Sequence, residues 1–230
     1  MILIDDVFPK YENELTFWLN PASIKEYVGV NYHKYPNSNT IQNARRIYYH
    51  RIPYLHKIFD PFKTNSFCIP NKHYKKPESV VSNENYIKVH DLFIHKIDYT
   101  KSIWFKEFYD ELNNKGKIRH KLIVIRSEAE LHDFFNNYAL RLINSMLSEG
   151  YLKNDSEGIG NIMIGSNGEI VKSNNGDHRF FTAKIIGLKS MPFKVNRIHE
   201  NFLYLNKLPN RKESIPDIIE KIQSLSQAYK

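Results

Sequence analysis

The residues whose types and spacing could do chemistry lie between positions 174 and 187: Asn174, Asn175, Gly176, Asp177, His178 and Arg179, then an apolar run closed by Gly187. The stretch reads as a strand ending in a tight polar turn that feeds a short helix. Gly176 can take backbone angles closed to other residues, and Asp177 is a favoured N-cap for the helix behind it. His178 and Arg179 then fall in the first helical turn, where orphan N–H groups and the dipole make a ready anion site. A cation there opposes the dipole, so these two residues are unfavourable for helix stability alone. An anionic ligand resolves the conflict, and the chemistry implied is phosphate or nucleotide binding. The competing reading is a helix start salt-bridged to a neighbouring carboxylate.

Other residues could join such a pocket. Lys184 lies one to two turns further on; it could reach a phosphate or simply face water. Asp177 has magnesium ligation as a second option beside capping. Arg197 and His199, at the end of a later strand, could line the pocket or mark a surface strand end. Glu169 and Glu157 lie near the loop in sequence, but no motif makes either a catalytic base, so the catalytic residue stays unassigned. His90 and His95 are five apart, the wrong interval for one helical face, and no metal site is read.

These groups need a frame. Residues 161–165 read as a buried strand, Ser166, Asn167, Gly168 and Glu169 as a two-residue type I′ hairpin, and Ile170, Val171 and Lys172 as the return strand. A helix over 178–186 follows, stopped by Gly187, with Leu188 where a Schellman end places an apolar residue. A strand over 192–197 comes next, and a closing helix over 216–229. Upstream, Ser127 and Glu130 match a capping box for a long amphipathic helix over about 128–148, ended by Gly150. Residues 121–125 read as a strand and 102–113 as a helix with Trp104, Phe105 and Phe108 inward. Residues 86–90 alternate like a strand. In the aromatic-rich first 60 residues, 14–19 and 41–49 are short helical candidates, the latter capped by Ser38 or Asn39. Residues 60–77 read as irregular.

Composition bounds the partners. At 230 residues, 41% hydrophobic and 25% charged, the chain can bury a real core. Cys68 is the single cysteine, which excludes an internal disulfide framework and CxxC motifs. No run approaches the roughly 20 apolar residues of a membrane span, and the chain reads as soluble and cytoplasmic. A net charge of +8 implies affinity for anions without naming one. Cationic clusters at 45–51, 72–76 and 115–121, some interleaved with Tyr and His, could hold single-stranded nucleic acid or form a solvated basic face.

The linked order of Asn167-Gly168-Glu169-Ile170, Gly176-Asp177-His178-Arg179, Ala183 with Gly187, and Met191-Pro192-Phe193-Lys194-Val195 resembles the ParB/sulfiredoxin superfamily. The likeness covers about residues 127–200. It implies an α+β fold, a small mixed sheet flanked by helices, with residues 1–120 as an extension packed on the core and forming the acceptor site, a core at 121–200 and a helical tail at 201–230. Members of that superfamily hold nucleotide phosphates on this loop, so the resemblance implies that Gly176, Asp177, His178 and Arg179 bind ATP or another nucleotide with Mg2+. It also points to an ATP-dependent phosphotransferase acting on a small hydroxylated acceptor. Asp177 stands where sulfiredoxin has its cysteine, and no helix-turn-helix follows residue 200. The alternatives are a ParB-like nucleic-acid-binding protein or nuclease, which is not favoured, and a non-catalytic nucleotide-gated interaction module.

Overall fold

The computed structural model describes residues 7–8, 10–29, 67–71, 74–151, 159–204 and 214–229. The helical candidate at 41–49 with its Ser38 or Asn39 cap, the cluster at 45–51, Lys72 and Glu157 lie outside these residues. The described chain is an α+β fold with a mixed seven-stranded sheet and six helices.

The strands of the main sheet are β1 (Thr16–Leu19), β2 (Glu26–Gly29), β3 (Cys68–Ile69), β4 (Glu78–Ser79), then β7 (Gly160–Ile164), β8 (Ile170–Ser173) and β9 (Met191–His199), with β5 (Ile118–His120) and β6 (Ile123–Ile125) forming a separate two-stranded sheet. The main order is β1-β9-β7-β8-β2-β4, and β3 adds to β9 beyond β1. β7 runs parallel to β9 and antiparallel to β8, which in turn pairs parallel with β2. Strands from both sides of residue 120 therefore share one sheet.

The helices are α1 (Glu84–Ile94), α2 (Ile103–Lys115), α3, α4 (Asp177–Ile185), α5 (Glu200–Tyr204) and α6 (Ile215–Ser226). α3 is one long helix made of Glu128–Phe134, a π-helical stretch Phe135–Leu140 and Arg141–Glu149. Ser127 caps its N-terminus, the hydroxyl accepting from Glu130 N, but the expected capping box does not close: the Glu130 carboxylate accepts from Arg126 N, one residue before the cap, and not from Ser127 N. α2 is capped by Ser102 and stopped by Gly116 at φ +68. α4 closes with Gly187 at φ +70 and a bond from Leu188 N to Ala183 O, the Schellman end.

One face of the sheet carries Ile162, Ile164, Ile170, Phe193, Val195 and Ile198 into a core shared with Phe180, Phe181 and Ala183 of α4 and with Trp104, Phe135 and Ile143 of α2 and α3. Each such ring or branched side chain removed from water contributes roughly 1.5–3 kcal/mol. The other face carries a smaller cluster of Val28, Ile69, Met163 and Val171 with Tyr74 against it.

Four local readings are corrected. Residues 86–90 are helical, within α1: Asn83 caps the helix by accepting from Asn85 N and Tyr86 N, and Val89 and Leu92 form its buried stripe. Five residues of alternation also satisfy an i, i+3 period, and the cap decides. Residues 16–19 form a strand, because pairing with residues 191–194 of β9 outweighs any helical preference of a four-residue piece. The hairpin between β7 and β8 has a three-residue loop, with Gly165 N bonded to Glu169 O, Gly168 N to Gly165 O, and positive φ at Gly168 alone. Finally, residues 121–125 are the turn and second strand of the β5–β6 hairpin, with His120 opposite Ile123.

Candidate nucleotide-phosphate site at the start of α4

Asn175 and Gly176 both take left-handed backbone angles, φ +63 and +68, and Asp177 begins the right-handed helix. The N-cap is therefore Gly176 rather than Asp177, and no side chain caps the helix start. Only glycine reaches φ +68 without the cost of a Cβ, and it leaves the N-terminal amides uncovered. A left-handed residue followed by a right-handed one turns successive N–H groups toward a common point, a concavity suited to an anion.

Asp177 is the first helical residue, and its carboxylate is engaged within the protein. Oδ1 accepts from Lys172 Nζ at 2.6 Å and Oδ2 from Tyr27 Oη at 2.9 Å. Lys172 is wholly buried on β8, and its ammonium also donates to Ser173 O and Asn175 O. Three donors meet three acceptors, so the loop is tied to the strand that precedes it. Burial and the Asp177 charge hold Tyr27 as a phenol well above its ordinary range. On the opposite side of the loop, Asn174 Oδ1 accepts from Asn196 Nδ2 and Asn161 Nδ2, and Ser173 Oγ donates to Asn196 Oδ1. Asn196 sits at the register shift of β9 against β7, where it turns toward the loop.

His178 is not a cation. Its ring stacks on His120 at 5.3 Å and lies 5.3 Å from Trp104, and Nδ1 is 3.3 Å from Tyr138 Oη. Burial, then the charge of Lys121 and the His120 ring, push its pKa down to about 3, and His120 falls to about 4 for the first two of these causes, burial and Lys121. A neutral imidazole removes the conflict with the helix dipole and needs no ligand to do so. Lys121 Nζ donates to Tyr138 Oη at 3.2 Å, which places a cation beside this ring cluster. Arg179, half-buried in the first turn, carries the site's own positive charge.

The remaining candidates lie elsewhere. Lys184 Nζ donates to Pro21 O, Ala22 O and Ile24 O, fastening the far end of α4 to the turn after β1. Burial, then Lys25, lowers that amine to about 8. Arg197 pairs in register with Met163 and His199 with Ile69, so both belong to the sheet face turned away from α4. Arg197 donates to Asn196 O. His199 is buried edge-on against Tyr74 at 4.4 Å, its Nδ1 accepting from Asn201 N. Glu169 shares that face and accepts from Asn167 N in the hairpin loop. Gly176, Asp177, His178 and Arg179 are thus together, while Lys184, Arg197, His199 and Glu169 are not with them.

Lys172, Tyr27, Tyr138, His120 and Lys121 were not among the candidate residues of the loop site. One signal for Lys172 was available: a lysine following Ile170 and Val171 in a strand buried on both faces must find partners. Backbone N–H groups turned together are donors of the kind phosphate oxygens accept. Asp177 is not open to magnesium, being committed to Lys172 and Tyr27, and among the described residues no group of three His, Cys, Asp or Glu could hold a metal. No helix of the described residues is long and apolar enough to cross a membrane.

These features define a class, an α+β protein with a mixed seven-stranded sheet and a pre-shaped loop at one helix start. No family model, curated protein or solved structure matches the chain.

Proposed function

We propose that the chain binds a nucleotide through its phosphates at the start of α4 and serves as an ATP-dependent phosphotransferase toward a small hydroxylated acceptor. The observation that carries this reading is the left-handed Gly176 followed by right-handed Asp177, with an uncapped helix behind them. Lys172 supports it in two ways. It neutralises Asp177, so that carboxylate does not repel a phosphate, and it holds the loop in its binding shape before any ligand arrives. Arg179 supplies charge in the first turn. Phosphoryl transfer asks the protein chiefly for position and charge neutralisation, and magnesium would arrive on the nucleotide's own phosphates. The ParB/sulfiredoxin resemblance supports the same site, because the hairpin, loop, helix and strand follow one another in the order that the resemblance implies.

The test is thermal unfolding of the full chain with ATP, CTP or GTP and Mg2+. At about 100 times Kd a ligand stabilises by ~2.7 kcal/mol, a rise of roughly 5–10 °C in Tm for a chain of this size. Arg179→Ala is expected to reduce the rise. No rise with any nucleotide sinks the reading. ADP release with hydroxylated acceptors separates a transferase from a nucleotide-gated module that shares the same contacts.

A further inference from the structure

The β5–β6 hairpin is a sheet of its own, packed by one face only. Ile118 and Ile125 are buried beneath it, and the His120 ring rests on Trp104, Phe108 and Phe134. What remains outward includes four cations beside Leu122 and Val124. Lys117, Arg119, Lys121 and Arg126 are exposed, and none forms an ion pair among the described residues. Lys115, at the base, pairs with Glu111. Between Glu111 and Glu128 the chain has five cations and no carboxylate, against a net charge of +8 for the whole. Such a surface repels itself and has no counter-charge within its own ribbon.

At the tip stands Leu122, 99% exposed. The residue before it, Lys121, takes φ +55 at the first position of the two-residue turn, a place that glycine usually fills. A lone exposed leucine needs no explanation; one raised on a cationic ribbon matches a known way of meeting nucleic acid. Two-stranded ribbons fit the major groove of a duplex, and proteins that enter the minor groove wedge apolar side chains between base steps. Three residue pairs span roughly 10 Å, close to the depth of a groove. No outward residue of the hairpin is aromatic, so it offers no stacking platform for a single strand.

We infer that the β5–β6 hairpin is a docking ribbon for double-stranded DNA, with Lys117, Arg119, Lys121 and Arg126 on phosphates and Leu122 at the groove floor. The inference does not depend on nucleotide binding at α4, and its test uses a different ligand. Binding of the full chain to a fluorescent mixed-sequence duplex of about 20 base pairs is measured by anisotropy between about 50 and 200 mM salt. Four phosphate contacts give a slope of log K against log salt of about −3.6. Lys117→Glu with Arg119→Glu is expected to weaken binding at least tenfold at low salt and to flatten the slope by about 2. Both sites are exposed, so folding should survive, and an unchanged Tm verifies it. Leu122→Ala is expected to leave the slope alone and reduce duplex bending, read by energy transfer between labelled ends. Absence of duplex binding at low salt, or equal binding by the double variant, overturns the proposal. Tighter binding of single-stranded DNA or of duplex RNA overturns the assignment to duplex DNA, and an unchanged bend removes Leu122 from the interface.

Discussion

Lys172 Nζ lies 2.6 Å from Asp177 Oδ1, with the lysine side chain fully excluded from water. Five residues apart, the pair closes the turn between β8 and α4 and holds the backbone of Asn175 and Gly176 between them. Burial lowers the lysine's pKa while the Asp177 carboxylate opposes that shift. A buried pair of this kind adds little over an apolar substitute, but breaking it from one side is costly.

Lys172→Met should therefore destabilise by about 3–5 kcal/mol, because the Asp177 carboxylate loses its counter-charge and two carbonyls lose a donor. Adding Asp177→Asn should cost less than the two single effects together, by ~1 kcal/mol or more. Urea unfolding of the four proteins measures this. Simple additivity would show that the pair does not act as a unit.

The two stacked histidines make a pH prediction. His178 and His120 have folded pKa values of about 3 and about 4, below their ordinary 6.5. Between 6.5 and those values the unfolded chain binds protons that the folded chain refuses. Stability is therefore whole above pH 6.5 and falls on acidification through this window, by at most ~1.4 kcal/mol per pH unit for each histidine. The less buried His120 contributes the smaller share. His178→Phe should flatten the fall between about pH 6 and 4 in denaturant titrations. Superimposable profiles would contradict the burial.

Gly176 and Asn175 share left-handed angles but should differ in tolerance. Gly176→Ala is expected to cost about 1–2 kcal/mol through its Cβ. Asn175→Gly should stay within roughly 0.5 kcal/mol, since asparagine already tolerates that region. If the shaped loop holds phosphate, Gly176→Ala also weakens nucleotide binding beyond what its stability loss accounts for. Thermal melts with and without ATP read both effects, and equal Tm shifts for the two variants would remove the backbone argument.

Lys121→Gly relieves a positive φ at the hairpin tip and gives up a hydrogen bond to Tyr138 that is largely open to water. A gain of about 0.5 kcal/mol is expected, seen as a small rise in Tm. A fall would mean that the bond to Tyr138 outweighs the strain.

Local signals carried much of the site's frame. Ser127 as a cap, Gly116, Gly187 with Leu188, and the succession of strand, loop, helix and strand from 160 to 199 were all legible. Caps, stops and periodicity act within a turn or two of chain, and those distances are visible in a sequence. Where the competing signals were themselves local, as at 86–90, a five-residue pattern was too short to separate a period of two from one of three or four.

The chemistry of the loop was less legible, because charge state and partners are set across the fold. The sequence by itself determined that a glycine, an acid, a histidine and an arginine stand at a helix start. Only the tertiary structure decided that Trp104, His120 and Tyr138 enclose His178 and keep it neutral, and that Lys172 takes Asp177 as its counter-ion. It also decided that Thr16–Leu19 is a strand, because the partner that makes it one, β9, lies some 175 residues away in the chain. Burial and pairing are properties of what surrounds a residue, and here the surroundings come from elements distant in sequence.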